Sequence, residues 1–232
     1  AVSLHPALHG DGENDLRSQT SQAPPSMRIY TKTGDGGEAS LYTGERRGKD
    51  DATFEALGDV DELNSALGLV LAHLGTLDRT EARDHDAHEL NLRGLRGQIE
   101  WVQSRLLDVG SALATPLDAS SDEKLKRASF PQKPTEDLEE WMDALDTELP
   151  QLTQFILPGG KEASAYLHMA RSICRRAERR VVPMVRQGKT DKHVGTFMNR
   201  LSDYLFTAAR FANLKADGAD VTYKKKQHES DA

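Results

Sequence analysis

Cysteine is almost missing from this sequence: Cys174 is the only one in 232 residues. A single thiol excludes an intrachain disulfide and a thiolate metal cluster, and it points to a reducing compartment. Aromatic residues are scarce as well, at 6%, whereas charged residues reach 29%. That balance disfavours a β-sandwich and suits amphipathic helices. No apolar run approaches the about 18 residues that a membrane span needs, so a soluble chain without a membrane partner is expected. Positive charge is also short, since 37 Asp and Glu outnumber 30 Lys and Arg for a net charge of −7. A phosphate-rich ligand therefore needs a local concentration of cations, and nucleic acid is not an expected partner.

The length fits one domain, placed at residues 27–226. Residues 1–26 carry Gly, Ser, Gln, Asp and the pair Pro24-Pro25 without apolar periodicity, and read as a disordered tail. They lack a signal peptide's apolar centre, and they are too acidic for an intact transit peptide, although a cleaved remnant fits. The run Lys224-Lys225-Lys226 opens a polar end, with 227–232 as a second tail. Between the tails lie a loop and five helical segments, with no strand alternation competing. Periodic apolar residues place them at about 53–74, 86–114, 134–149, 161–186 and 191–215. Thr135 is the expected cap of the third, Pro150 its stop, and Pro183 should bend the end of the fourth. The fold class is all-α, an antiparallel five-helix bundle preceded by a glycine-rich loop.

Four places are not explained by a core. Thr31-Lys32-Thr33-Gly34-Asp35-Gly36-Gly37 combines a permissive backbone with a cation and two hydroxyls, which suits phosphate oxygens; an ordinary turn explains the glycines as well. The spacing is not that of a P-loop. Residues 171–180 hold five arginines and one acid in ten positions. Arg171, Arg175 and Glu178, with Arg179 close by, share a helical face suited to bidentate capture of phosphate. Glu178 could hold a magnesium ion carried by a nucleotide. An ion-paired surface helix or a nucleic-acid face remains open. Asn199, Asp203, Phe206 and Arg210 form a mixed polar stripe on the fifth helix, and Asp61 sits at the edge of the first helix's apolar stripe, where an arginine of the fourth is its natural partner. The apolar loop 155–160, F-I-L-P-G-G, is either ordinary packing or a wall for a large ligand.

Six fragments in order resemble the PduO-type ATP:cob(I)alamin adenosyltransferases: T-K-T-G-D-G-G at 31–37, F-E-A-L-G-D-V-D-E-L-N at 54–64, D-V-G-S-A-L-A-T-P at 108–116, F-I-L-P-G-G at 155–160, R-R-A-E-R-R at 175–180 and N-R-L-S-D-Y-L-F at 199–206. The wording is nearest to the mitochondrial members of animals. The resemblance implies transfer of the 5′-deoxyadenosyl group of ATP to cobalamin, in a homotrimer whose sites lie at subunit interfaces. ATP would be held by Thr31, Lys32, Thr33, Gly34, Lys49, Arg175, Arg176, Ala177, Glu178, Arg179 and Asn199, with Mg2+ at Glu178. Ala39 stands where the family usually has Ser or Thr, so a hydrogen bond to the nucleotide is lost or shifted. Asp61 and Arg171 match an ion pair across the subunit boundary. Phe155 matches the residue that packs below the corrin, with His168 and Phe206 in the same wall. A B12-dependent acceptor such as a mutase, and a mitochondrial matrix location (bacterial cytoplasm as the alternative), are implied too. From another functional class, a trimeric regulatory module that binds ATP without chemistry fits the nucleotide features alone. Cys174 is assigned to packing.

Overall fold

A computed structural model of the chain describes residues 30, 32–77 and 90–224. The expected tails at 1–26 and 227–232, Thr31, and the first residues of the second predicted helix lie outside the described residues. Six helices are present among them: α1 Ala52–Leu77, α2 Leu92–Leu113, α3 Asp122–Arg127, α4 Lys133–Asp146, α5 Glu162–Arg186 and α6 Lys192–Lys215. Two short strands, β1 Glu38–Ser40 and β2 Arg46–Gly48, pair antiparallel ahead of α1. The mostly helical expectation holds, while α3 and the hairpin correct the count of five helices and the expected absence of strands. Both are too short for periodicity to register: the strands have three residues each and α3 has six.

α1, α2, α6 and α5 close a ring in which each helix contacts the next, and α4 packs on the outside of α6. Leu63, Leu67, Ile99, Leu106, Leu167, Val181, Phe197, Leu201 and Leu205 fill the centre, each fully buried. These residues recur at three- and four-residue steps, so each helix turns one stripe inward. A few polar links fix the pairing. Tyr204, fully buried, donates its hydroxyl to Gln98 across α6 and α2 at 2.9 Å. The Gln103 amide donates to the Asn64 carbonyl at 3.0 Å, bracing α2 against α1. Trp101 and Trp141 meet edge-on, with ring centres 5.0 Å apart, and seat α4.

Helix ends also differ from expectation in instructive ways. Asn91 caps α2, its side chain accepting from the Gly94 N–H. Gln132, not Thr135, is the cap position of α4; Thr135 lies in the first turn with its hydroxyl buried and without a partner among the described residues. α4 ends at Asp146, and Leu149 packs on the core from the segment beyond. α5 continues to Arg186 past Pro183, because a proline so near the end interrupts only the last turn. The chain does not trail away after α6. It turns back, and Thr222 bridges to Ile156 in an antiparallel pair.

Candidate active site

The glycine loop is shaped by the hairpin that follows it. The Arg46 guanidinium donates to the Thr33 carbonyl at 3.0 Å and to Glu38 at 3.1 Å. The Lys49 N–H donates to the Gly37 carbonyl at 2.9 Å, which brings the Lys49 side chain back beside Gly34. Lys32 takes a left-handed backbone (φ 59°), so the turn around it is strained for a residue with a side chain. Lys32, Thr33, Gly34 and Lys49 are thus gathered at one loop. Ala39 lies mid-strand in β1, opposite Arg47, and its methyl side chain has no polar atom to offer.

The arginine run of α5 divides into two sets. Arg176 pairs with Asp59 at 2.9 Å and with Glu62, and Arg180 pairs with Glu55 at 2.9 Å, so both are tied to α1. The hydrogen bond that Arg176 donates to the Asp59 carboxylate holds the Arg176 pKa above its ordinary value. Arg171, Arg175 and Arg179 lie on the other side. Arg171 sits over the Phe206 ring, 5.4 Å from its centre. Arg179 donates to the Arg175 carbonyl, leaving the Arg175 side chain exposed. Asp61 is exposed, and among the described residues of the single chain the carboxylates that meet these arginines are Glu55, Asp59 and Glu62.

α5 and α6 run antiparallel, and their seam carries the remaining residues. Asn199 donates to Glu178 at 2.8 Å, orienting that carboxylate and holding it on the exposed side of the seam. Ala177 is fully buried on the opposite face, so any contact it offers a ligand is through its backbone. Toward the start of α5, the buried His168 ring meets Phe206 edge-on at 5.9 Å. Burial, with the Arg171 charge second, lowers the His168 pKa, against an opposing contribution from Asp220. The neutral imidazole is thereby favoured, and its Nδ1 has no hydrogen-bond partner among the described residues. Cys174, fully buried, packs beneath this seam and donates to the Met198 carbonyl; burial pushes its thiol up, so it stays protonated.

The seam therefore changes character along its length. Ten residues of α5 separate His168 from Glu178, about 15 Å of helix. One end presents Arg175, Arg179 and the Glu178–Asn199 pair; the other holds Phe206, with Arg171 over its ring and the buried His168 edge-on beside it. Beyond that end the chain leads back to Phe155, a large aromatic side chain left 84% exposed. The expected polar stripe on α6 is split: Arg210 turns inward, and Asp203 pairs with Arg200. No cluster of three or more metal-ligating side chains occurs among the described residues. A lone oriented carboxylate suits a magnesium ion that arrives with its own phosphate oxygens, as Mg2+ ordinarily does.

A family model described as cobalamin adenosyltransferase matches residues 29–212. The chain belongs to the cobalamin adenosyltransferase family. It is 45% identical over 216 residues to the corrinoid adenosyltransferase MMAB of Bos taurus, covering 93% of this chain and 84% of that protein. It is 39% identical over 199 residues to the corrinoid adenosyltransferase of Bacillus subtilis, covering 86% and 93%. Among solved structures it is similar to a variant PduO-type ATP:corrinoid adenosyltransferase from Lactobacillus reuteri complexed with cobalamin and ATP. That likeness has a TM-score of 0.71 and 37% identity, over 85% of this chain and all of the other. A second variant of that enzyme, complexed with ATP, matches with a TM-score of 0.69 and 38% identity over 84% of this chain and all of the other.

Within the family, sequence reasoning missed two structural contributors. The hairpin that returns Lys49 to the glycine loop carries no alternating apolar signal, being two three-residue strands without a large apolar residue. The return of the chain after α6 is polar and short, and no apolar period marks it.

Proposed function

We propose that this protein transfers the 5′-deoxyadenosyl group of ATP to the cobalt of cob(I)alamin, releasing triphosphate. The observation that carries the reading is the seam between α5 and α6, cationic at one end and aromatic at the other. One end suits a polyphosphate and the other a large flat apolar ring, and C5′ of the nucleotide would lie between them.

The reaction balances without a protein nucleophile. The cobalt(I) lone pair attacks C5′, the Co–C bond forms, and the C5′–O bond breaks with its electron pair leaving on the triphosphate. The protein must align cobalt with C5′ and stabilise the charge gathering on the leaving group. Thr31, Lys32, Thr33, Gly34 and Lys49 would wrap the triphosphate, while Arg175, Arg179 and Asn199, with the Ala177 backbone, would hold it from α5 and α6; Arg176, engaged by Asp59 and Glu62, would contribute from the α1 side only by exchanging those partners for phosphate. Mg2+ held by Glu178 and phosphate oxygens would screen the same charge. Ala39 offers no hydroxyl, so the nucleotide contact at that position would pass to a neighbour such as Ser40. Phe155, backed by His168 and Phe206, would occupy the lower face of the corrin and exclude the axial base. A cobalt without its lower ligand is easier to reduce to the reactive state.

In the single chain, the described bonds of the glycine loop stay within its own hairpin and reach none of the α5 arginines. This supports a site completed between subunits, the loop of one meeting the arginine helix of its neighbour in a homotrimer of bundles. The exposed Asp61 then has its partner in Arg171 of the adjoining copy. Asp61→Asn is expected to shift the assembly toward monomer in sedimentation, or to raise the ATP requirement; an unchanged trimer with unchanged kinetics would defeat the pairing. Identity to the animal relatives, 45% for Bos taurus against 39% for Bacillus subtilis, favours the mitochondrial matrix and delivery to a B12-dependent enzyme there.

The deciding assay is anaerobic, with ATP, magnesium and chemically generated cob(I)alamin. Loss of the cob(I)alamin band with growth of adenosylcobalamin is expected. ATP binding without alkylation would instead favour the regulatory reading.

A further inference from the structure

The geometry points to Arg210 and Asn213 as positioning residues that hold the Phe155 loop in one pose, an inference that rests on the corrin-facing reading of Phe155. The two lie three residues apart on α6, on one side of the helix. Each holds both the 150–161 loop and the segment that returns after α6. Arg210 donates to the Pro150 carbonyl at 2.7 Å, at the start of the loop, and pairs with Asp220 on the return at 2.8 Å. Asn213 accepts from the Lys161 N–H at 3.0 Å, at the loop's end, and donates to Asp220 at 3.4 Å. Its carbonyl also accepts from the Gly218 N–H at 2.8 Å. The fit is close enough that a Cβ at either Gly160 or Gly218 would run into the Asn213 amide, and Gly160 has a φ of +98° as well. Two glycines on separate segments thus make room for one side chain.

The return passes this hold on to Phe155. Tyr223 donates its N–H to the Phe155 carbonyl at 2.7 Å, and Leu157 donates to the Val221 carbonyl at 2.8 Å. With Ile156 opposite Thr222, alternation places Phe155, Leu157, Val221 and Tyr223 on one face of the ribbon, all of them exposed. Ile156 and Thr222 face the other way, onto a cavity of about 330 Å³ whose walls include Arg210 and Asp220. A ribbon standing over a cavity gains little orientation from apolar packing. The buried guanidinium and amide supply it instead. Arg210 is 5% exposed and Asn213 2%, and burying such groups is tolerated only where all their partners are in place.

The test compares Asn213→Ala, Arg210→Lys and Phe155→Ala with the unaltered protein. Hydrogen exchange of the peptide spanning 150–161 is expected to quicken at least tenfold in the first two, with α1 and α2 unchanged. KM for cob(I)alamin should rise at least fivefold while KM for ATP stays within twofold, a split that general loss of stability would not give. Should both α6 variants fail to fold, Tyr223→Pro removes the donor to Phe155 from outside the bundle and should give the same split. Folded α6 variants that leave cobalamin values unchanged, when Phe155→Ala alters them, overturn the proposal. If Phe155→Ala leaves them unchanged as well, the corrin-facing reading fails instead. Unchanged exchange in the loop refutes the positioning role of Arg210 and Asn213 in either case.

Discussion

Arg175→Ala is expected to raise KM for ATP by one to two orders of magnitude and to leave the melting temperature nearly unchanged. The side chain is exposed at the cationic end of the seam, and none of the ion pairs that join α5 to α1 uses it. A charge-assisted hydrogen bond to phosphate contributes about 1.5–3 kcal/mol, which corresponds to roughly a ten- to 150-fold loss when it is removed. Part of that loss should appear in kcat, because charge on the triphosphate is greatest as the C5′–O bond breaks. Arg180→Ala supplies the contrast: its guanidinium is spent on Glu55 and Asp59, so nucleotide kinetics should hardly move. Near-normal ATP kinetics in Arg175→Ala would remove that residue from the site. Arg175→Lys should recover only part of the loss, since an ammonium cannot make the paired contact of the guanidinium fork.

That contrast also shows where sequence reading stops. Five arginines in ten residues announce a cationic helix, and helical spacing separates Arg171, Arg175 and Arg179 from Arg176 and Arg180. Spacing does not say which set faces the seam, because that depends on which neighbour supplies carboxylates. α1 supplies Glu55, Asp59 and Glu62, and it claims the second set. Asp61 stands at the edge of the apolar stripe in the sequence, yet within the chain it is Asp59, two residues earlier, that takes the contact with Arg176. The long helices were legible because each repeats its apolar residues over four or more turns. The hairpin, α3 and the return after α6 were not, since each is held by a few specific hydrogen bonds that leave no period. Arg210 is the clearest case. On the sequence it continues a polar stripe with Asn199, Asp203 and Phe206, but in the fold it is buried against Asp220, a partner ten residues on that only the turn at 216–218 brings back.

Phe155→Ala should separate nucleotide binding from cobalt chemistry more sharply than any other single change. An aromatic ring that is 84% exposed contributes little to folding, so the variant should melt with the unaltered protein. Its seam residues are untouched, and the ATP dissociation constant is expected to stay within twofold. The corrin loses a surface to rest on. If half of a ring's roughly 150 Å² is covered in the complex, about 2 kcal/mol of apolar burial goes with it, or some thirtyfold in the population of the form lacking its lower ligand. The spectroscopic signal of four-coordinate cob(II)alamin should then fall below detection with ATP bound. Turnover should suffer most when cob(I)alamin must be generated from cob(II)alamin on the protein, and less when it is supplied chemically, because the lower ligand matters to the reduction rather than to the attack on C5′. A four-coordinate signal that survives in Phe155→Ala would assign the wall to other residues of the exposed ribbon face, Leu157, Val221 and Tyr223 being the nearest. A variant that also loses ATP would show that the two ends of the seam are coupled through the helices.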